Sequence, residues 1–283
     1  MKLGYTDISS VRRALQRNEL DLYKNARIGV QFYEDFQEKM ERNEVKLIGD
    51  IVETAVQKYF EHAEIAIMGS YRRGSERCGD VDVLITHPKF VKCIPKGAID
   101  ELVERLHDEG HISHHLTCVD PSHKATLPLE AENFDNLLMD TSKKALSYMG
   151  VFISPVYPQK HRRIDIKFYP YQEKAFASLY FTGNGWFNRA VRWYAKTKKG
   201  MRLDDSGLYT LTVQEEKKLS LKGKRIKANS EKEIFDLLGL IYKQPHERDR
   251  IDAIEPKCGS QVKFDVDVSH SDFNLELGHK WIN

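Results

Sequence analysis

Two carboxylates set into an apolar strand constrain this chain more than any other feature. Residues 80–86 read Asp-Val-Asp-Val-Leu-Ile-Thr. On a strand, residues two apart share a face, so Asp80 and Asp82 project together while Val81 and Val83 turn to a core. Anions held that close raise one another's pKa unless a cation stands between them. Hard oxygen donors in such a pair suit Mg²⁺. Upstream, Ala63–Met68 is a short apolar strand signal that ends at Gly69-Ser70 and a turn, where backbone amides and Arg73 can meet phosphate oxygens. An Asp-x-Asp on a strand is, by itself, usually a solvated face. The Gly-Ser turn ahead of it makes the pattern far more specific, because each part serves a different need of nucleotidyl transfer.

A second segment, His161-Arg162-Arg163-Ile164-Asp165-Ile166-Lys167, alternates in the same way. Arg163, Asp165 and Lys167 fall on one face, and Ile164 and Ile166 on the other. If this strand lies beside the first, Asp165 becomes a third carboxylate. Three carboxylates and two Mg²⁺ ions are the machinery of in-line displacement at phosphorus.

Around these segments the periodicity predicts helices over 43–60, 25–40 and 99–106, and strands over 81–86, 111–118, 148–156 and 163–169. Residues 119–140 are polar and aperiodic, the pattern of an inserted loop. From Tyr171 onward the pattern is helical, over 170–181, 186–197 and 230–240. Ser230 with Glu233 forms a capping-box signature. The expected class is α+β: a palm of nucleotidyltransferase type with a mixed β-sheet, flanked by helical subdomains. Its expected divisions are 1–45, a remnant of a helical DNA-binding subdomain; 46–170, the catalytic palm; 171–250, a subdomain that binds the nascent base pair; and 251–283, a tail without assigned role.

The blocks GSYRRGSERCGDVDVLITHP, HRRIDIKFYP and YFTGNGWFNRAVR resemble the signature blocks of family X DNA polymerases, of the beta and lambda type. The resemblance runs from about Gly4 to Arg248. It implies that Asp80, Asp82 and Asp165 are the metal ligands, for two Mg²⁺ ions that Mn²⁺ can replace. It places Gly69, Ser70, Arg73, Cys78 and Gly79 around the incoming triphosphate, with cysteine at 78 where serine is more usual and a weaker donor. Arg163 would help position the primer end. Tyr180 and Phe181, before the turn at Gly183, would pack beneath the deoxyribose. Asn188 would meet the incoming base and Arg192 the template strand. Terminal transferases differ at the Tyr-Phe pair, which favours templated synthesis here. The implied activity is addition of a deoxynucleotide to a primer 3′ end, on a primer–template or short gap, with release of pyrophosphate. The amino-terminal lyase domain of the family is not expected in this chain. The rivals are an untemplated or RNA-tailing transferase, and an idle DNA-binding variant.

Composition fits this reading without announcing it. Net charge is only +2, yet 196–202 and 217–227 are strongly basic and the tail after 251 is acidic. The basic stretches suit phosphate contacts or a plain solvated surface. No apolar run approaches the ~20 residues of a membrane span, and MKLGYTDISSVRR does not look like a secretory signal. Four cysteines without a CxxC pair suggest reduced thiols. An intracellular, nuclear monomer is expected. His107, His111, His114, His115 and Cys118 lack zinc-ligand spacing and are taken as surface groups. Gly259-Ser260 with Asp265 and Asp267 imitates the catalytic block but lacks its phosphate turn, and is read as a decoy.

Overall fold

The apolar stripe of residues 43–60 becomes the long helix α4 (Arg42–Tyr59), whose Val45, Ile48, Val52, Ala55 and Val56 are buried. This computed structural model describes residues 5–117, 145–214, 219–250 and 253–257. The expected loop at 119–140, Cys118 and the Asp265/Asp267 pattern lie outside the described residues. Helix α4 packs with α6 (Ala98–Asp108) on one face of a five-stranded sheet. The strands are β2 (Glu64–Ile67), β4 (Val81–Thr86), β5 (Ile112–His115), β6 (Leu146–Ile153) and β7 (His161–Phe168). They lie in the order β2-β4-β7-β6-β5. Only β4 and β7 run parallel; the remaining pairs are antiparallel. The alternation read from the sequence sets the faces. Val81, Val83, Ile85, Ile164, Ile166 and Phe168 are fully buried against α4 and α6. Each such side chain stabilises the fold by about 1.5–3 kcal/mol. The opposite face is left to Asp82, Leu84, Asp165 and Lys167.

A second core joins helices α7 (Lys174–Thr182), α8 (Gly185–Lys199) and α9 (Glu231–Leu238), with Phe176, Phe187, Ile234 and Phe235 at its centre. Here an expectation fails. The region after Tyr171 is not helical throughout: β8 (Met201–Asp204), β9 (Gly207–Gln214) and β10 (Leu219–Ile226) form an antiparallel meander. The basic stretch 217–227 therefore falls largely on a strand. Ser230 caps α9 as expected, accepting from the Glu233 amide at 3.2 Å, but the Glu233 carboxylate reaches back to Asn229 rather than to Ser230.

The amino-terminal residues fold as α1 (Ile8–Gln16), α2 (Lys24–Gln31) and α3 (Tyr33–Gln37). Helix α1 carries an Asp7 cap on the Ser10 amide. The single helix expected over 25–40 is interrupted at Phe32, and Met40–Glu41 forms a short strand, β1, paired with β3 (Arg77–Cys78). The cause is tertiary. The Arg12 guanidinium donates to the Val30 carbonyl at 2.9 Å, taking an acceptor that a continuous helix would use. Phe32 in turn stacks on His161, with ring centroids 4.1 Å apart.

This unit is anchored to the sheet through Arg162 of β7, which also makes a buried ion pair with α4. Arg162 and Glu44 are each 2% exposed, and Arg162 Nε donates to Glu44 Oε1 at 2.7 Å. Arg162 Nη1 also donates to the Asp35 and Glu38 carbonyls, tying α3 to β7. Removing one partner of a buried pair strands the other charge. Glu44→Ala should lower unfolding stability by about 3 kcal/mol, read as a shift of the urea midpoint. Asp50→Ala, which removes the exposed Lys46–Asp50 pair on the same helix, should cost less than about 0.5 kcal/mol.

Candidate active site

The parallel register of β4 and β7 places Asp82 directly opposite Asp165, with Asp80 just ahead of β4 on the same side. Burial first, then the Asp80 and Asp165 charges, push the Asp82 carboxyl up to about 7. Burial also raises Asp165, against the pull of Lys167. Two cations attend the outer carboxylates. Arg163 Nη2 donates to Asp80 Oδ2 at 3.2 Å, and Lys167 Nζ stands 3.6 Å from Asp165 Oδ2. Lys167 is 5% exposed and also donates to Ser147 Oγ at 2.7 Å. The family resemblance assigns Lys167 no role, although its alternation with Asp165 puts it on the same face.

Among the described residues, no three His, Cys, Asp or Glu side chains are gathered as a ready-made metal cage. Asp80 and Asp165 are each turned to a cation of their own. The donor set nevertheless fits hard divalent cations. All its ligands are carboxylate oxygens, and Asp82, whose ionisation is opposed by burial first and then by the Asp80 and Asp165 charges, is a group that a cation would help to ionise.

The turn after β2 is built around that carboxylate. Met68 extends the ladder by donating to the Asp82 carbonyl at 2.8 Å, and Gly69 then takes φ +57°. A Cβ on Gly69 would lie 2.1 Å from Asp82 Oδ2. Glycine is required here by both backbone and contact. Ser70 follows in the single helical turn α5 (Gly69–Arg72), and its carbonyl accepts from Ser75 at 3.1 Å. Gly79 adjoins Arg163: a Cβ there would be 3.9 Å from Nη2. Cys78 is fully buried in the main core, opposite Met40 in the β1–β3 pair.

Arg73, expected on phosphate oxygens, is held between Asp249 (2.6 Å, from Nε) and the Thr182 carbonyl (2.8 Å, from Nη1). Arg72 makes a two-pronged pair with Glu231 at 2.8 Å and donates to the Thr182 hydroxyl. Glu231 also receives Arg248 at 2.9 Å, and Arg248 is fully buried. Burial works against ionising Glu231, but the two guanidiniums outweigh it and hold its carboxyl below the usual range. These ion pairs join the turn of the first core to α7 and α9 of the second.

Tyr180 and Phe181 end α7, with Phe181 edge-on to Tyr169 and Lys167 Nζ 5.7 Å from the Phe181 ring centre. The chain reverses at Gly183, φ +68°, where a Cβ would meet Arg73 Nη1 at 3.3 Å. Asn188 is buried and donates to the Tyr180 carbonyl at 2.7 Å. Arg192 lies over the Tyr180 ring at 5.5 Å, and its Nε donates to the Asn188 carbonyl. Tyr180, Asn188 and Arg192 share a shallow pocket with Phe176, Leu203 and Asp204. The structure thus gathers the predicted residues into two adjoining groups, carboxylates with their turn and the α7–α8 junction, bridged by Arg73 and Lys167. The histidines stand apart. His107 is exposed, while His114 and His115 are half-buried on β5, where burial lowers both their pKa values.

Comparison with known proteins finds matches across both cores. A family model described as DNA polymerase beta palm matches residues 39–171, and one described as DNA polymerase beta thumb matches residues 177–249. DNA polymerase lambda of Rattus norvegicus is 35% identical over 223 residues, 78% of this chain and 35% of that protein. DNA polymerase lambda of Arabidopsis thaliana is 30% identical over 233 residues, 82% of this chain and 40% of that protein. DNA nucleotidylexotransferase of Xenopus laevis is 27% identical over 265 residues, 87% of this chain and 48% of that protein. The chain spans about a third to a half of the length of these relatives.

The raised Asp82 pKa has a thermodynamic consequence. Its folded value near 7 lies above the ordinary 3.8, so between these pH values the folded state binds more protons than the unfolded state. Stability therefore falls as pH rises across that window. In metal-free buffer at pH 8, Asp82→Asn should be more stable than the parent by about 1–3 kcal/mol, and its stability should be flatter between pH 4 and 7. Denaturant titrations at several pH values measure this. Mg²⁺ should stabilise the parent and not the variant.

Proposed function

The chain belongs to the family X DNA polymerases, and from that premise we propose that it is a template-directed, gap-filling repair polymerase. It adds a deoxynucleotide to a primer 3′-hydroxyl and releases pyrophosphate. The observation that carries this is the pairing of Asp82 with Asp165 across parallel strands, beside Asp80, under a glycine turn that admits nothing larger. Residues 46–170 would form the catalytic palm, 171–250 the part that closes on the nascent base pair, and 1–45 a remnant of a DNA-binding subdomain. No role is assigned to 251–283. Among the described residues no helix is long and apolar enough to cross a membrane. A monomer working in the nucleus belongs to the same reading.

Asp80, Asp82 and Asp165 would hold two Mg²⁺ ions, whose charge supports the attacking hydroxyl and the triphosphate during an in-line displacement. The chain's own groups position the reactants. Arg163, at the edge of the carboxylates and half-exposed, would exchange Asp80 for the primer end. Lys167 would keep Asp165 ionised and fixed through its bond to Ser147. Arg73 would exchange Asp249 for the triphosphate, beside Gly69, Ser70 and the backbone of Cys78 and Gly79. Tyr180 and Phe181 would pack under the sugar and disfavour a 2′-hydroxyl. Asn188 would give up the Tyr180 carbonyl for the incoming base, and Arg192 would turn to the template strand.

The likeness to a nucleotidylexotransferase keeps one rival open, an untemplated transferase. Single-nucleotide insertion on gapped DNA separates the two. The expected result is insertion of the complementary deoxynucleotide over the other three and over ribonucleotides, abolished by EDTA and restored by Mg²⁺ or Mn²⁺. Asp165→Asn should lower turnover by about a hundredfold or more. Template-indifferent addition, or full activity in Asp165→Asn, would overturn the proposal.

A further inference from the structure

The turn that carries Gly69, Ser70 and Arg73 has two hinges in its own backbone. Gly69 and Gly74 take φ +57° and +85°, values that glycine adopts without strain and leaves as easily. Backbone amides hold an anion only while they stay aimed at one point. The turn's own arginines reach the second core, Arg72 at Glu231 and Arg73 at Thr182. Arg42, the first residue of α4, holds it from the first core instead. Its Nη1 donates to both the Tyr71 and the Ser75 carbonyls, each at 2.9 Å. One carbonyl lies before Gly74 and the other after it, so a single nitrogen staples both arms of the hinge. The guanidinium carbon also lies 4.0 Å from the centre of the Tyr71 ring, which packs against the first core. Local chemistry does not call for an arginine here. A cation in the first turn of a helix opposes the helix dipole, and the leading amides of this 18-residue helix have no side-chain cap. An acidic residue would serve the helix better. What Arg42 reaches explains why it is there.

The geometry points to Arg42 as a positioning residue for the incoming triphosphate, one that fixes the phosphate turn across Gly74 without touching the phosphates itself. The inference deepens the polymerase reading and rests on it for the identity of the ligand, a nucleoside triphosphate. When Arg73 leaves Asp249 for the phosphates, the turn gives up a tether to the 248–249 segment. The Arg42 bonds end on carbonyls, which do not compete with phosphate for a donor. They are the contacts that keep the turn in place while its other partners change.

Two measurements on the full chain test this. Single-nucleotide insertion on gapped DNA gives kcat and the KM for the deoxynucleotide. Calorimetric titration with Mg²⁺ and the same deoxynucleoside triphosphate, without DNA, gives binding alone. Arg42→Ala should raise KM and the dissociation constant by about tenfold each, the worth of a misaimed hydrogen bond or two, and change kcat by less than about threefold. Arg42→Lys should recover most of the loss, because one nitrogen makes both bonds. Arg77→Ala removes the exposed Glu41–Arg77 pair at the other end of the turn and should change either constant by less than about twofold. A merely structural role would lower the folded fraction, and with it kcat, at unchanged KM. That pattern, unchanged constants in Arg42→Ala, or a lysine variant no better than alanine would overturn the assignment. A parent that binds the nucleotide through an Arg42-dependent turn yet inserts none would sink the polymerase reading and leave Arg42 its role. A parent that neither binds nor inserts would overturn both.

Discussion

Burial of carboxylates that also repel one another, on one face of a sheet, is the constraint to which the rest of this structure answers. Asp82 sits at its centre, opposite Asp165 and two residues from Asp80, and cannot ionise freely near neutral pH. Arg163 attends Asp80 and Lys167 attends Asp165. A fold that buries such a group in its sheet holds a deficit of positive charge at one spot. On the proposed reading, that deficit is what divalent cations would fill. It also explains why Gly69 is bare: the turn passes so close that even a methyl group would displace the Asp82 carboxylate.

The second core is tied to this spot by ion pairs as well as by packing. Arg72, Glu231 and Arg248 form a buried chain of opposite charges from the turn to α9. Arg73 holds the Thr182 carbonyl and Asp249. Chains of this kind have few arrangements in which every buried charge is paired, so the two cores meet in defined positions. Arg73 is the member whose partner Asp249 is half-exposed, and it is the one nearest Gly183. An incoming triphosphate would compete with Asp249 for the same guanidinium, linking substrate binding to the α7–α8 junction.

Much of the site was legible in the sequence because strands repeat every two residues. Alternation alone put Asp80 with Asp82, and Arg163 with Asp165 and Lys167, on shared faces, and the β4–β7 register then joined the two sets. That register is a long-range fact, separated by about eighty residues of chain, and no local pattern specifies it. The same limit explains the misplaced features. The break at Phe32 depends on Arg12 reaching the Val30 carbonyl, a contact between different helices. The meander after α8 did leave a signal: Leu-Tyr-Thr-Leu-Thr-Val follows the turn residues Asp204-Asp205-Ser206-Gly207 and is rich in strand formers. The lysines on either side overlay that alternation with a stronger charge pattern.

The most direct test of the central claim is a crystal structure of the chain with Mn²⁺ and a non-hydrolysable deoxynucleoside triphosphate, using the anomalous signal of the metal to locate it. The account predicts manganese peaks in contact with Asp80, Asp82 and Asp165, with Arg163 and Arg73 withdrawn from Asp80 and Asp249. Manganese bound elsewhere, with Asp82 free of metal while the triphosphate is in place, would contradict it.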